Sequence, residues 1–328
     1  MMNSLEQLEM ETKEIKNEVL LGKPNLEVFS ATMQKLAETD KGIMAVTSDS
    51  RGSGKLVLFG QKFPEQIVEV GIAEQNLVGV ATGLAAMGKK AFAVSPACFL
   101  TARSLEQIKN DVCYSDNPVK LIGISAGVSY GALGSTHHSL HDYAVLRAIN
   151  NITIVAPADN FETEAAIRSA AEMETPVYIR FGKKAMPQNL GSIDFEFGKG
   201  RVLKEGSDLT FVATGEGVWP AYQAALKLEE EGIHATVLSI HTIKPLDTGL
   251  IEKFASNGQP ILAVEEHSVN GGLGEAVASH LFQNGFRNKF KIVGLPDDHT
   301  VHGSQVEIFD HYGISEEGLT KTAIELLK

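Results

Sequence analysis

Glu74 stands at a junction where a charge is not expected. The stretch Val68-Glu69-Val70-Gly71-Ile72-Ala73-Glu74-Gln75-Asn76 leaves an apolar strand, in which Ile67, Val68 and Val70 are predicted to be buried. It enters a helix whose Leu77, Val78, Val80, Ala81, Leu84 and Ala85 recur at helical spacing. A carboxylate there has two readings. It answers the partial positive charge of a helix start, or it is kept from water for chemistry that needs a buried acid. A second group is the run Gly131–His141, GALGSTHHSLH, with His137, His138 and His141 on a glycine-rich loop after the strand VKLIGIS. In an open parallel sheet, loops at strand C-termini line the ligand crevice. Histidines there suit proton transfer or hydroxyl recognition. A metal site fits less well, because adjacent histidines rarely share an ion and no cysteine is near. Gly271, Gly272 and Gly274 between VEEHSVN and a helix form either a tight turn or a phosphate cradle. No P-loop is present, and no dinucleotide fingerprint follows a strand in the required way.

The elements that must position these groups alternate. GIMAVTSD, QIVEVG, KAFAVS, VKLIGIS, ITIVAP and PVYIRF read as strands. IAEQNLVGVATGLAAMG, LHDYAVLRAI and FETEAAIRSAAEM read as helices between them, the first stopped by Gly88. Strands apolar on both faces, alternating with helices, predict a parallel sheet covered on both sides. This domain is assigned to residues 25–183. A linker over 184–200, rich in Gly, Pro and polar residues, precedes a smaller α/β domain over 201–328. The fold class is therefore α/β, two doubly wound domains. Residues 1–24 are expected to form an amphipathic helical arm, with Leu5, Leu8, Ile15 and Val19 on one side.

Composition narrows the function. The formal charge of -12, from 41 acidic and 29 basic residues, argues against a nucleic-acid surface. No apolar run is long enough for a membrane span, and the first twenty residues lack the apolar core of a secretory signal. The only two cysteines, Cys98 and Cys113, lack metal-like spacing and suit a reducing compartment. A cytoplasmic protein acting on small molecules is the expectation.

VEVGIAEQN, the THH of GALGSTHH, VYIRFG, and then HTIKPLD with VEEHSVNGGLGEAVA resemble the second half of the thiamine diphosphate-dependent transketolase family. The likeness runs over about residues 25–328, and IAEQ and TIKPLD in this order are specific. It implies a pyrimidine-binding domain followed by a transketolase C-terminal domain. By that resemblance Glu74 faces N1′ of the cofactor's aminopyrimidine, shares a proton with it and so assists deprotonation at the thiazolium C2. Phe99 matches an aromatic packed on the pyrimidine, and Asp49 an acid near the cofactor across a dimer interface. His137 matches the histidine that lies near the reacting carbon and contacts substrate hydroxyls. Ser53 and Arg180 match positions that hold a substrate phosphate, a role for which the bidentate arginine fork is suited.

The departures from the family pattern are as informative. Leu133 stands where relatives carry an acid that reads a ketose hydroxyl, which points to an altered sugar. Ser125, Pro96 and His141 also replace the usual residues. The GDG motif with its downstream Asn, which in the family holds magnesium and the diphosphate on a separate domain, occurs nowhere in the chain. The resemblance therefore implies one subunit of a split transketolase. A partner chain would carry GDG and the magnesium ligands, an α2β2 heterotetramer would form, and a two-carbon ketol unit would move between sugar phosphates. A deoxyxylulose-phosphate synthase-like half, a 2-oxoacid dehydrogenase β-like half and a non-catalytic assembly subunit are the alternatives. The donor and acceptor sugars are not encoded in any motif.

Overall fold

The computed structural model describes residues 19–328, so most of the arm expected over 1–24 lies outside the described residues. The first part of the chain runs β1 (Leu21–Pro24), α1 (Asn25–Thr39), β2 (Ile43–Thr47), α2 (Val57–Lys62), β3 (Ile67–Glu69), α3 (Glu74–Ala86), β4 (Lys90–Pro96) and α4 (Ala97–Arg103). It continues with α5 (Leu105–Gln107), prolonged as a π-helix over Ile108–Tyr114, then β5 (Lys120–Ile124), α6 (Asp142–Arg147), β6 (Thr153–Val155), α7 (Asn160–Glu172), β7 (Val177–Phe181) and β8 (Ala185–Pro187). The second part holds β9 (Arg201–Lys204), β10 (Leu209–Ala213), α8 (Val218–Glu230), β11 (Ala235–Ser239), β12 (Thr242–Lys244) and α9 (Thr248–Ala255). It ends with β13 (Ile261–Ser268), α10 (Leu273–Gln283), β14 (Phe290–Leu295), α11 (Gln305–Tyr312) and α12 (Glu316–Leu327).

Strand alternation builds the layers. In β4, Ala91 and Ala93 face the α3 side with Leu77, Val78 and Ala81. Phe92 and Val94 point the other way, to Phe29 and Met33 of α1 and Ala166 and Ile167 of α7. Both faces are dry, which is why the strand reads as an unbroken apolar run. The seven-stranded sheet has the order β12-β6-β7-β5-β4-β2-β3, and the five-stranded sheet β14-β13-β10-β11-β9. Within these two sheets, among the described residues, only the edge strands β12 and β9 run antiparallel to their neighbours. In β10, Phe211 enters one core and Val212 the other.

Two placements differ from the sequence reading. β3, expected to be buried, is the last strand of its sheet, and Ile67, Val68 and Val70 are only partly buried because one side has no neighbour. β12, from the TIKPLD stretch, does not join the second sheet. It pairs with β6 and sends Ile243 into the first domain's core. The segment between the domains is also more ordered than a linker, since β8 pairs with β1.

A buried ionic knot ties the domains. Arg201 opens the second sheet, yet its Nη1 donates to Asp159 Oδ2 at 3.1 Å and Glu162 Oε1 at 2.7 Å, both at the start of α7. Its Nη2 donates to Asn189 of the connecting segment. Asp159 also caps α7 through the Glu162 N–H. Burial, then the neighbouring Glu162 charge, push the Asp159 carboxyl up to about 6 despite Arg201. Replacing one partner of such a knot strands the others in low dielectric. Arg201→Met is expected to destabilise the chain by about 3–5 kcal/mol near neutral pH, read by urea unfolding. A folded-state pKa above the unfolded value means stability is lost as pH rises through it. The defect should therefore shrink below pH about 6, where Asp159 takes up a proton.

Candidate functional site

Glu74 is the first residue of α3 and its side chain is 4% exposed, so the helix-start and buried-acid readings coincide. Arg103, the last residue of α4, donates through Nη1 to both Glu74 oxygens, at 3.1 and 3.0 Å. The same guanidinium lies over the Phe99 ring, 4.5 Å from its centroid, one helical turn back. Phe99 meets His137 edge-on at 5.4 Å, and His137 meets Tyr130 at 5.2 Å. Lys183 closes the row with its Nζ 3.8 Å from the Tyr130 ring centroid. These side chains come from α3, α4, the loop after β5 and the turn after β7. They gather at the C-terminal ends of parallel strands, where such folds open their ligand crevice.

Asp49 follows β2 in left-handed backbone, φ 54°. Its N–H donates to Glu69 Oε1 at 2.6 Å, and the Gly71 N–H donates to the same oxygen at 3.0 Å. The Thr47 hydroxyl takes the other oxygen at 2.7 Å. Burial pushes the Glu69 carboxyl up, but these three bonds and the Arg51 charge outweigh it and hold it below its usual range. Glu69 thus locks together the turns that carry Asp49 and lead into Glu74. In the sequence Glu69 reads only as a charge within VEVG, because two of its three donors, the Thr47 hydroxyl and the Asp49 N–H, come from the neighbouring strand β2 and the turn after it.

The three histidines divide. His137 faces Phe99 and Tyr130, half-buried, with Nδ1 2.9 Å from the Thr136 hydroxyl. His138 is buried and its Nε2 donates to the Gly131 carbonyl, bracing the loop from within. His141 Nε2 lies 3.3 Å from Thr101 Oγ1. The Thr101 proton goes to the Ala97 carbonyl, so the hydroxyl must accept from His141. Among the described residues no cluster of His, Cys, Asp or Glu could hold a metal ion, and no helix is long and apolar enough to cross a membrane.

Arg180 is set apart from the row. It is 4% exposed, with Nη1 on Asp142 at 2.7 Å and Nη2 on the Glu266 carbonyl at 2.7 Å. Its guanidinium carbon rests 4.2 Å from the Tyr143 centroid. Both terminal nitrogens are used inside the fold, so the fork that the resemblance offered to a phosphate is directed at Asp142 and Glu266 instead. Lys183, three residues later, has the exposure Arg180 lacks. Burial, then the Lys55 charge, lower its pKa, so Lys55 and Lys183 share one neighbourhood. Ser53, two residues before Lys55, is half-buried and donates to the Ser50 carbonyl at 3.2 Å. Leu133 is 58% exposed on the turn Gly131–Leu133. The Gly271–Gly274 turn is no open cradle. The Leu273 and Gly274 N–H groups already donate to Glu265, and a Cβ on Gly272 would overlap that carboxylate.

Comparison with known proteins matches two family models along the chain. The family "Transketolase, pyrimidine binding domain" matches residues 24–188, and "Transketolase, C-terminal domain" matches residues 198–319. The chain is 50% identical over 302 residues to one of the subunits of the apulose-4-phosphate transketolase of Phocaeicola vulgatus, covering 92% of this chain and 96% of that protein. It is 39% identical over 287 residues to the protein of the same name from Actinobacillus succinogenes, covering 87% and 92%. Among solved structures, a split-gene transketolase described as an inactive β4 tetramer superposes with a TM-score of 0.85 at 36% identity, covering 93% of this chain and 99% of that one.

The lowered pKa of Lys183 generates a direct check. A larger neutral fraction makes an amine a better nucleophile. Lys183 is expected to be acylated faster than exposed helix lysines such as Lys62 under limiting reagent near neutral pH, read by peptide mass spectrometry.

Proposed function

The chain belongs to the transketolase family, and on that premise we propose that it is the pyrimidine-side subunit of a two-chain transketolase. The reading rests on one observation. A nearly dry carboxylate, Glu74, stands in a continuous row with a half-exposed aromatic face, Phe99, and a half-buried histidine, His137. This set fits an aminopyrimidine. Glu74 receives only one guanidinium nitrogen, so its oxygens keep lone pairs for a ring donor. Phe99 offers a surface for the ring to pack on.

Thiamine diphosphate, when bound, supplies the carbanion chemistry that breaks and makes the carbon–carbon bond. The chain's own groups do the rest. Glu74 holds a proton at the pyrimidine edge, and Arg103 keeps that carboxylate turned toward the row. His137 meets a substrate hydroxyl. Lys183 and Ser53 receive the phosphate end of the sugar, with Lys183 in the place first expected of Arg180. Asp49 serves the cofactor from its Glu69-pinned turn. The diphosphate and magnesium ligands belong to a partner chain, because this sequence has no GDG motif. Two observations support that division: the relatives' names denote single subunits of a larger enzyme, and the β4 tetramer is stated to be inactive. The substrate is a ketose phosphate from which a two-carbon unit passes to an aldose. Apulose 4-phosphate, in the relatives' name, is the first candidate. Leu133 supports it, since an apolar residue there does not require the hydroxyl that an acid would read.

Three outcomes are expected. The purified chain should show no ketol transfer with thiamine diphosphate and magnesium, and a GDG-bearing partner should restore it; turnover by the chain alone overturns the division. In the assembled enzyme Glu74→Gln should slow hydrogen–deuterium exchange at cofactor C2 about a hundredfold or more, with cofactor affinity changed far less. In a panel of ketose phosphates, apulose 4-phosphate should exceed xylulose 5-phosphate in kcat/KM by about tenfold or more. An equal or reversed preference removes the role given to Leu133.

A further inference from the structure

The substrate end of the row rests on two glycines whose missing side chains are replaced by carboxylates of the other domain. A Cβ on Gly127 would overlap the Glu266 carboxyl carbon, and one on Gly182 would overlap Glu216 Oε1. Gly127 precedes the loop that carries Tyr130 and His137, and Gly182 precedes Lys183. Glu266 also accepts the Val128 N–H at 2.9 Å. Gln305, the first residue of α11, bridges the pair, its Nε2 2.7 Å from Glu216 Oε2 and 2.8 Å from Glu266 Oε1. The residues just before it back the same loop, with the Gly303 carbonyl 3.0 Å from a Cβ position on Gly131 and His302 Cε1 3.0 Å from one on Gly134.

We propose that Glu216, Glu266 and Gln305 form a clamp by which the C-terminal domain sets the position of the Val128–His137 loop and of Lys183, and so the fit of the phosphorylated substrate. The proposal rests on the assignment of His137 and Lys183 to substrate given above. All three clamp residues are positioning residues, since none lies in the row itself.

The clamp has a chemical signature. Burial, then the Glu216 charge, push the Glu266 carboxyl up to about 8, and burial raises Glu216 as well. With a proton between them the pair is singly charged and faces Arg180, whose guanidinium is 3.6 Å from Glu266 Oε2. Once both ionise, the two anions share one amide donor and repel. The other groups facing the cluster are Asp142, Tyr143, Tyr178, Lys184 and His267. His267 is neutral from about 4 upward, and burial keeps both tyrosines protonated well past their usual range. Glu265, the next residue of β13, rises to about 7, chiefly by burial, but its oxygens serve the α10 turn instead. The raised folded pKa values mean the clamp is intact below about 8 and weakens as pH rises through it.

The test uses the assembled enzyme and two independent readouts. Gln305→Leu should raise KM for the ketose phosphate about tenfold, with the C2 exchange rate set by Glu74 unchanged. It should also weaken amide hydrogen-exchange protection over 128–137 in the full-length chain. Wild type should lose that protection as pH passes about 8, and Glu216→Gln, a neutral isostere, should keep it. Unaltered loop protection in a folded Gln305→Leu chain overturns the clamp, as does a pH response identical in wild type and Glu216→Gln. Should Gln305→Leu not fold, the Glu216→Gln comparison decides alone. Absence of ketol transfer by the wild-type assembly would overturn the functional reading instead, and the exchange measurements would still judge the clamp.

Discussion

A buried guanidinium needs its charge answered within the fold, and Arg180 meets this need by drawing in groups from both domains. It projects from β7, the strand beside β5, and its partners are Asp142 at the start of α6, the Ser139 carbonyl and the backbone of Glu266 on β13. Tyr143 supplies a ring face against it, and the Tyr178 hydroxyl donates to the second Asp142 oxygen at 2.7 Å. Breaking any one contact leaves a charge in a medium that stabilises it poorly. The geometry at this point is therefore stiff. Ser139 and Asp142 follow His137 closely in the chain, so this stiffness reaches the loop that presents His137.

Around that centre the site is assembled by carboxylates acting as backbone anchors. Glu69 pins the turns after β2 and β3, Glu266 pins Val128, and Glu265 fills the α10 turn. Each uses an ionised or partly ionised oxygen to collect N–H groups that would otherwise lack partners. This accounts for part of the chain's excess of acid. Glu265 and Glu266 are not solvated surface charge but internal fittings, while Glu69 anchors its two turns from a more exposed position. Exposed groups such as Arg103 and Lys183 can then move against a rigid base.

The sequence carried most of the frame because the frame is periodic. Apolar runs alternating with helical spacing and stopped by Gly88 give the parallel sheets, and Glu74 announces itself by being charged in an apolar setting. What stayed hidden depends on partners far apart in the chain. β3 and β4 read alike, yet only position in the sheet makes one an edge. Thr242–Lys244 joins the first sheet because β6 has a free edge, which no local pattern reveals. Arg103 could have been found, since it follows Phe99 at a spacing of four on one helix. Gln305 could not, for its two acceptors lie 89 and 39 residues away. Arg180 shows the reverse case: its residue type and motif suggest a ligand, while its side chain is 4% exposed and engaged within the fold.

In the two-chain reading proposed above, one active site can be divided between two polypeptides because its two ends ask for different chemistry. On that reading the pyrimidine side needs a dry acid, a flat apolar face and a positioned histidine, and the C-terminal end of one sheet supplies all three after strands β3, β4 and β5. The diphosphate side needs a cation with oxygen ligands, which no element of this fold has to share. Ile72 is 73% exposed two residues before Glu74. A partner proposed to sit on this side would remove that apolar side chain from water. On the two-chain reading proposed above, a partner seated on this side would complete the surroundings of Glu74, which would give each half a physical reason to be silent alone.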